Sequence, residues 1–221
     1  MASRPKPGGG APYHHGNLRH ALIAEGRRAL EEIGVHELGL RYVARMVGVS
    51  EAAPSRHFAG KEGLLAAIAA DGFRELATRR TEILTSGDSN LTKTYRMMRT
   101  YVEFAGRHKG LFNLMIGPRL LARDGYPELT EESSKSFRLF STSVEKLALE
   151  HGWEESTLPL VTHAAWSTEH GLAMLIVSDR VPRSDFPIAV EDMIQYSISM
   201  FLSAVTGGPS RLKDLIARLR A

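Results

Sequence analysis

Leu40-Arg-Tyr-Val-Ala-Arg-Met-Val-Gly-Val-Ser-Glu-Ala-Ala-Pro-Ser-Arg-His-Phe58, running on into Ala59-Gly-Lys-Glu-Gly-Leu-Leu65, is the stretch on which the fold turns. Leu40, Val43 and Val47 recur at helical spacing, and Ala44 is small where a second helix has to come close. Gly48 suits the left-handed residue that ends a helix, and Ser50 is a good N-cap for the next one. Two helices of about two turns, joined by a short turn with Gly, make a helix-turn-helix unit. Such a unit offers its second helix, here Ser50 to Phe58, to the DNA major groove. Pro54 stands about four residues into that helix, where a missing amide costs at most one hydrogen bond, so the expectation is a tightened first turn.

The exposed side of this unit carries the candidate DNA contacts Arg41, Ser50, Glu51, Ala52, Ser55, Arg56 and His57. Arginine can reach guanine bidentately, and serine or histidine can hold phosphate. Gly60-Lys61 opens a longer helix to about Leu84, with Leu64, Leu65, Ile68, Phe73 and Leu76 inward. Its first turn combines free amides, a positive dipole end and the Lys61 ammonium, which suits an anion. Upstream, Asn17 caps a helix with Leu18, Ala21, Leu22, Ala29, Leu30 and Ile33 on one face, ending at Gly34. That helix supplies the core that two short helices lack. Residues 1–15 are rich in Pro and Gly and carry Arg4 and Lys6, which reads as a disordered basic arm. It is either a leader or an arm that settles into a minor groove.

The chain has 221 residues and no cysteine, so disulfides and thiolate zinc sites are excluded and a reducing cytoplasm is expected. The first ten residues contain no apolar run and do not read as a signal peptide. Net charge is +3, but residues 1–80 hold 12 Lys/Arg against 8 Asp/Glu while residues 81–221 hold 16 against 17. A basic head on a neutral body points to a polyanion at one end only.

Ser86-Gly-Asp-Ser-Asn90 is a turn cluster and marks the expected boundary, with a head over 16–86, a body over 87–207 and a basic end-piece over 208–221. The body reads as helices throughout: about Leu91 to His108, a short one from Leu111 to Leu121 broken at Gly117-Pro118, a loop at Asp124–Pro127, and about Pro127 to Glu150 with Phe137, Phe140, Val144 and Leu147 inward. No window alternates like a strand, so the expected class is all-α with about nine helices. Residues 156–178 contain a single charge, Glu169, and residues 186–206 contain two, Glu191 and Asp192. Pro159, His163, Glu169 and His170 argue against a membrane span. Helices apolar around most of their circumference are buried on most sides. A homodimer packed through Leu158, Leu172, Leu175, Ile194, Ser197, Phe201 and Val205 would bury them. Residues 209–220 form a basic amphipathic helix expected to dock on the body.

Gly48-Val-Ser50 through Arg56-His-Phe58, then Lys61-Glu-Gly-Leu-Leu65, resembles the head of TetR-type transcriptional repressors. Tyr13-His-His-Gly-Asn-Leu18 and Trp166-Ser-Thr-Glu-His-Gly171 resemble a subgroup with a WHG-type C-terminal domain. The resemblance implies a helical homodimer on a palindromic double-stranded operator, with a small molecule in the body changing the spacing of the two heads. It also implies that Lys61 contacts phosphate. Ala53, Pro54 and Ser55 stand where the family often has Thr, Leu or Tyr.

In the body, Trp166 and His170 share a helix face continued by His163 and Met174. Met98, Tyr101, His108, Met115 and Phe137 are expected to face them and line a ligand pocket. The alternative is that Trp166 and His170 are a packed core pair. No His-Glu-x-x-His, Gly-x-Ser-x-Gly, P-loop or dinucleotide fingerprint occurs, so neither enzyme, metal site nor cofactor is expected. These features together point to a DNA-binding repressor released by a small apolar or amphipathic effector, through a two-state equilibrium with coupling of ~1–3 kcal/mol. The competing readings are a ligand-independent activator, or a ligand- or metal-sensing module with a weakened head.

Overall fold

The computed structural model describes residues 18–117, 125–181 and 188–220. The arm at 1–15, the Asn17 cap, most of the Tyr13–Leu18 motif, Pro118 and Asp124 lie outside the described residues. Among the described residues there are nine α-helices and no strand. They are α1 (Leu18–Glu37), α2 (Leu40–Val47), α3 (Gly60–Thr85), α4 (Asn90–Arg107), α5 (Lys109–Ile116), α6 (Pro127–Glu150), α7 (Leu158–Val177), α8 (Val190–Thr206) and α9 (Pro209–Leu219). The chain forms two compact units that divide inside α3, between Ile68 and Ala69. That division precedes the Ser86–Asn90 turn which composition favours, because the later turns of α3 are pinned to the body by Arg74 and Arg80.

The first unit is built on α1 and α2 with the opening turns of α3. Leu22, Ile23, Ala29, Leu30, Val43, Ala44, Phe58, Leu64, Leu65 and Ile68 are buried. The backbone of α1 breaks at Gly34, whose φ of 75° is left-handed. Gly48, with φ 78°, closes α2. The Val49 amide donates to the Ala44 carbonyl at 2.9 Å and the Gly48 amide to that of Arg45 at 3.2 Å, a Schellman closure. Beyond it the expected α-helix over Ser50–Phe58 is absent, and only Pro54–Arg56 forms a single 3₁₀ turn. Pro54 has no amide to give the Ser50 carbonyl, and Ala53 supplies that bond one residue early, at 3.0 Å. The following bonds, Arg56 to Ala53 and His57 to Pro54, keep the tighter three-residue spacing.

In the second unit α4 is central, packed against α6, α7 and α8. Its buried positions, Met97, Met98, Tyr101, Val102, Phe104 and Ala105, therefore cover more than one stripe. The core around them includes Phe140, Val144, Leu147, Val161, Ala165, Leu172, Ile194, Ile198, Leu202 and Val205. Thr94 Oγ1 is within 3.1 Å of both the Ser143 carbonyl and its hydroxyl, joining α4 to α6. Trp153 Nε1 donates to the Val205 carbonyl at 2.8 Å and ties the turn before α7 to the end of α8. Helix α5 ends at Ile116, next to Gly117 where a break was expected, and the expected end at Leu121 lies outside the described residues. Helix α9 is amphipathic as expected but has no buried residue; Lys213 pairs with Glu154 across 3.3 Å.

Helix α3 meets α5 at Gly72, where a Cβ would lie 2.6 Å from Met115 Sδ and 3.2 Å from Leu111. Both partners are about 1% exposed and have nowhere to retreat. Gly72→Val should therefore destabilise the chain by ~1–3 kcal/mol through overpacking, read as a lowered urea midpoint. An unchanged midpoint would mean that the two helices separate freely.

Candidate nucleic-acid interface and effector cavity

The head places its sequence candidates on the surface. Arg41, Ser50, Glu51, Ala52, Ser55, Arg56 and His57 are all exposed, while Pro54 and Phe58 are buried beneath them. The 3₁₀ turn thus holds a short polar ridge over an apolar floor, and Arg19 lies over the Phe58 ring at 5.7 Å. Arg41 and Glu51 form an exposed pair at 3.5 Å, which a phosphate could break at little cost. Lys61 is half-buried, and its Nζ donates to the His36 carbonyl at 2.7 Å. It lines a surface concavity together with Gly39, Leu40, Arg41, Tyr42 and Arg45. Three cations, Arg41, Arg45 and Lys61, line it together with Glu37. Arg45, four residues after Arg41 and so on the same face of α2, is the one that the sequence reading passed over.

The body contains a cavity of about 430 Å³ lined by Phe73, Leu76, Arg80, Tyr101, Ile116, Ser133, Ser134, Ser136, Phe137, Arg138, Trp166 and Glu169. Tyr101, Phe137 and Trp166 of the expected set line it. Phe137, expected inward, is 38% exposed, and Trp166 packs edge-on against it with ring centroids 6.2 Å apart. His170 sits beside the lining, its Nδ1 sharing a hydrogen bond of 2.9 Å with the Tyr101 hydroxyl. Burial lowers the His170 pKa and favours the neutral ring. Met98 and Met115 are packed in the interior instead, Met174 is exposed, and His108 Nε2 lies 3.9 Å from Glu75. Helical spacing identified the stripe on α7 but could not say which α4 and α5 residues face it.

The chemistry at the cavity wall comes from residues that the sequence reading did not assign. Arg80 is buried, with its Nη1 donating to the Ser136 carbonyl at 3.0 Å and to the Ser136 hydroxyl at 3.1 Å. Its Nη2 donates to Glu169 Oε1 at 3.1 Å. The guanidinium also lies over the Tyr101 and Phe140 rings, at 5.4 and 5.2 Å. Glu169 is 1% exposed, and burial pushes its carboxyl up to about 8 despite the opposing pull of Arg80. The signal was in the sequence: a lone carboxylate within residues 156–178 needs a buried cationic partner. Which of the many arginines it finds is decided by the packing of α3 on α7.

Of the residues expected at the interface, Leu172, Ile194 and Val205 are buried in the core of their own unit, which leaves them little surface for another chain, while Leu158, Ser197 and Phe201 are partly buried and keep surface outward. Leu175 is exposed, and so are Leu160 on α7 and Tyr196 and Met200 on α8. Small or uncharged Ala164, Ser167, Gly171, Ser199, Ser203 and Ala204 of the same two helices are exposed as well.

Among the described residues no helix is long and apolar enough to cross a membrane, and no group of three or more His, Cys, Asp or Glu could hold a metal ion. The family described as bacterial regulatory proteins, tetR family, matches residues 22–68, and the tetracyclin repressor-like C-terminal domain matches residues 95–201. No curated protein matches the sequence. A solved structure of a protein with unknown function from Rhodococcus sp. RHA1 is 29% identical, with a TM-score of 0.75, covering 87% of this chain and 97% of that one. The TetR family transcriptional regulator PfmR from Thermus thermophilus is 18% identical, with a TM-score of 0.61, over 82% of this chain and 97% of its own. The fatty acid degradation regulator FadR from Bacillus halodurans is 11% identical, with a TM-score of 0.67, over 86% and 97%. The last two likenesses show the fold alone. With both the helix-turn-helix head and the helical body matched, the chain belongs to the TetR family and is a DNA-binding transcriptional regulator rather than an enzyme.

Proposed function

We propose that this regulator is a repressor that leaves a palindromic operator when a small amphipathic molecule occupies the body cavity. Regulators of this family bind DNA operators as dimers and respond to small-molecule effectors. The observation that carries the reading is the presence in one chain of an exposed polar ridge following α2 and an apolar-walled cavity with a buried Arg80–Glu169 pair. Arg56, Ser55 and His57 serve as base or phosphate contacts on the ridge, with Ser50, Glu51 and Ala52 beside them. Arg41, Arg45 and Lys61 hold the backbone. The DNA-binding head lies within 16–86 and the effector and dimerisation body within 87–207, with the part of α3 from Ala69 onward belonging to the body, flanked by residues 1–15 and 208–221. Subunits pair through the outer faces of α7 and α8, and half-sites lie about one helical turn or a multiple apart. The protein works in the cytoplasm, where the DNA is.

Helix α3 carries Lys61 in its first turn and Phe73, Leu76 and Arg80 further along. A ligand that grips the later residues thus acts on the helix that also bears a phosphate contact. A two-state equilibrium with ~1–3 kcal/mol of coupling is sufficient. The test is a gel shift with the DNA flanking the protein's own gene, in a salt series. A sequence-selective, salt-sensitive shift is expected, and its absence sinks the repressor reading. Lys61→Ala should weaken binding to all sequences alike and flatten the salt slope by about 1. A changed base preference would remove Lys61 from the phosphate-contact role.

A further inference from the structure

The Arg80–Glu169 pair is incompletely satisfied in a way that specifies a ligand. Arg80 uses Nη1 on Ser136 and Nη2 on Glu169 Oε1, while its Nε has no partner. Glu169 uses Oε1 on Arg80, while its Oε2 has no partner. Both side chains are at least nine-tenths buried, and both line the cavity. Native interiors rarely leave such atoms empty, and here one unused donor and one unused acceptor belong to a single buried pair whose two residues are among those that line the cavity.

The rest of the lining selects among head groups. Its charged residues are Arg80, Arg138 and Glu169, two positive against one negative, so the cavity favours an anion. Phe73, Leu76, Ile116, Phe137 and Trp166 are apolar or aromatic and suit a hydrocarbon body. A volume of about 430 Å³ fits a small molecule. A ligand carboxylate that meets the Arg80 guanidinium also lies next to Glu169, and the two carboxylates cannot both stay ionised in so buried a place.

Building on the effector-cavity reading above, we propose that the ligand is a monocarboxylic acid with an apolar or aromatic body, whose carboxyl group lies against Arg80 and shares one proton with Glu169. The proton comes from solvent when the acid binds as its anion, and the site then holds one guanidinium and one negative charge spread over two carboxyls. Glu169 is ready for that proton, since burial already raises its pKa to about 8. Arg80 from α3 is its hydrogen-bonded partner, and the other polar residues of the cavity wall are Tyr101 from α4 and Ser133, Ser134, Ser136 and Arg138 from α6. His170 is its neighbour on α7 and is held toward the neutral form. On α8 the described residues from Met193 to Thr206 include no ionisable group other than the exposed Tyr196.

The test is calorimetry on the full chain near pH 8.5, in two buffers of different ionisation enthalpy. The probes are decanoate and 4-phenylbutyrate, each beside its primary amide and its alcohol. The acids are expected to bind about tenfold or more tightly than the amides, with uptake of a large fraction of a proton per site. Glu169→Gln, which imitates the protonated side chain, should retain acid binding and lose the proton uptake. Equal or tighter binding of the amides, acid binding without proton uptake in the wild type, or unchanged uptake in E169Q would each overturn the proposal. Binding of amides or alcohols with no preference for acids would defeat this inference and leave the effector cavity standing. Failure of every probe to bind would defeat both.

Discussion

Met200→Glu is expected to yield monomers on sedimentation and to weaken operator binding by about a hundredfold. Met200 is 62% exposed on α8, and Tyr196, one turn earlier, is 72% exposed. From Met193 to Thr206 the helix carries no charge, and its outer side is closed by Ser199, Ser203 and Ala204, which permit close helix approach. Helix α7 packs beside α8 and adds Leu160, Ala164, Ser167, Gly171 and Leu175. A carboxylate placed at the centre of a helical interface there would have to be buried without a partner, a cost of several kcal/mol. The loss on DNA follows from the linkage of two half-sites. Joined heads gain an effective concentration worth ~10²–10⁴ in affinity, and separated heads forfeit it. A dimer that persists in M200E would place the interface elsewhere. Ile194 or Val205 would be poor choices for this test, since both lie in the subunit's own core and a charge there would unfold the chain before it separated two of them.

Glu169→Gln should remove a pH dependence of stability that the wild type shows between about pH 4.5 and 8. Its carboxyl rises from 4.5 to about 8 on folding, because burial penalises the charge more than Arg80 relieves it. Between those values the folded chain holds more protons than the unfolded one. The contribution of Glu169 is therefore fully present below about 4.5, declines as pH rises and is lost above about 8. The slope attributable to this one group can reach about 1.4 kcal/mol per pH unit. Trp153 and Trp166 both lie in the second unit, so tryptophan fluorescence in urea follows the part of the molecule that holds the pair. Unfolding midpoints of the variant should fall less steeply from pH 5 to pH 8 than those of the wild type. Parallel profiles would show that Glu169 is ionised throughout and that Arg80 outweighs burial.

The departures from the sequence reading share a cause. Periodicity reports that a helix has an apolar face, but not how many neighbours the face has. Helix α8 illustrates this: Ile194, Ile198, Leu202 and Val205 form one stripe into the core, and Tyr196 and Met200 a second stripe turned outward. In sequence the two merge into one apolar run. Helix α4 poses the same difficulty, with Met98 buried in the packing among α6, α7 and α8 and Tyr101 brought to the cavity. At Pro54 the chemistry was legible, since the missing amide is a property of the residue. Its consequence was larger than expected, because the bonds that follow it kept the three-residue spacing through His57.

The all-α class, the break at Gly34 and the closure of α2 at Gly48 were determined by the sequence alone, as was the polar character of Ser50 to His57, though not the 3₁₀ turn that presents it. Each depends on a local cause: a left-handed backbone, a lost amide or a cap between residues a few positions apart. Only the tertiary structure decided which arginine meets Glu169, which face of α8 is left outward, and that Tyr101, Phe137 and Trp166 share a cavity. Arg80 and Glu169 stand 89 positions apart. Nothing in either neighbourhood selects the other; the packing of the helices brings them together, and the cost of burying a lone charge then makes the pair obligatory.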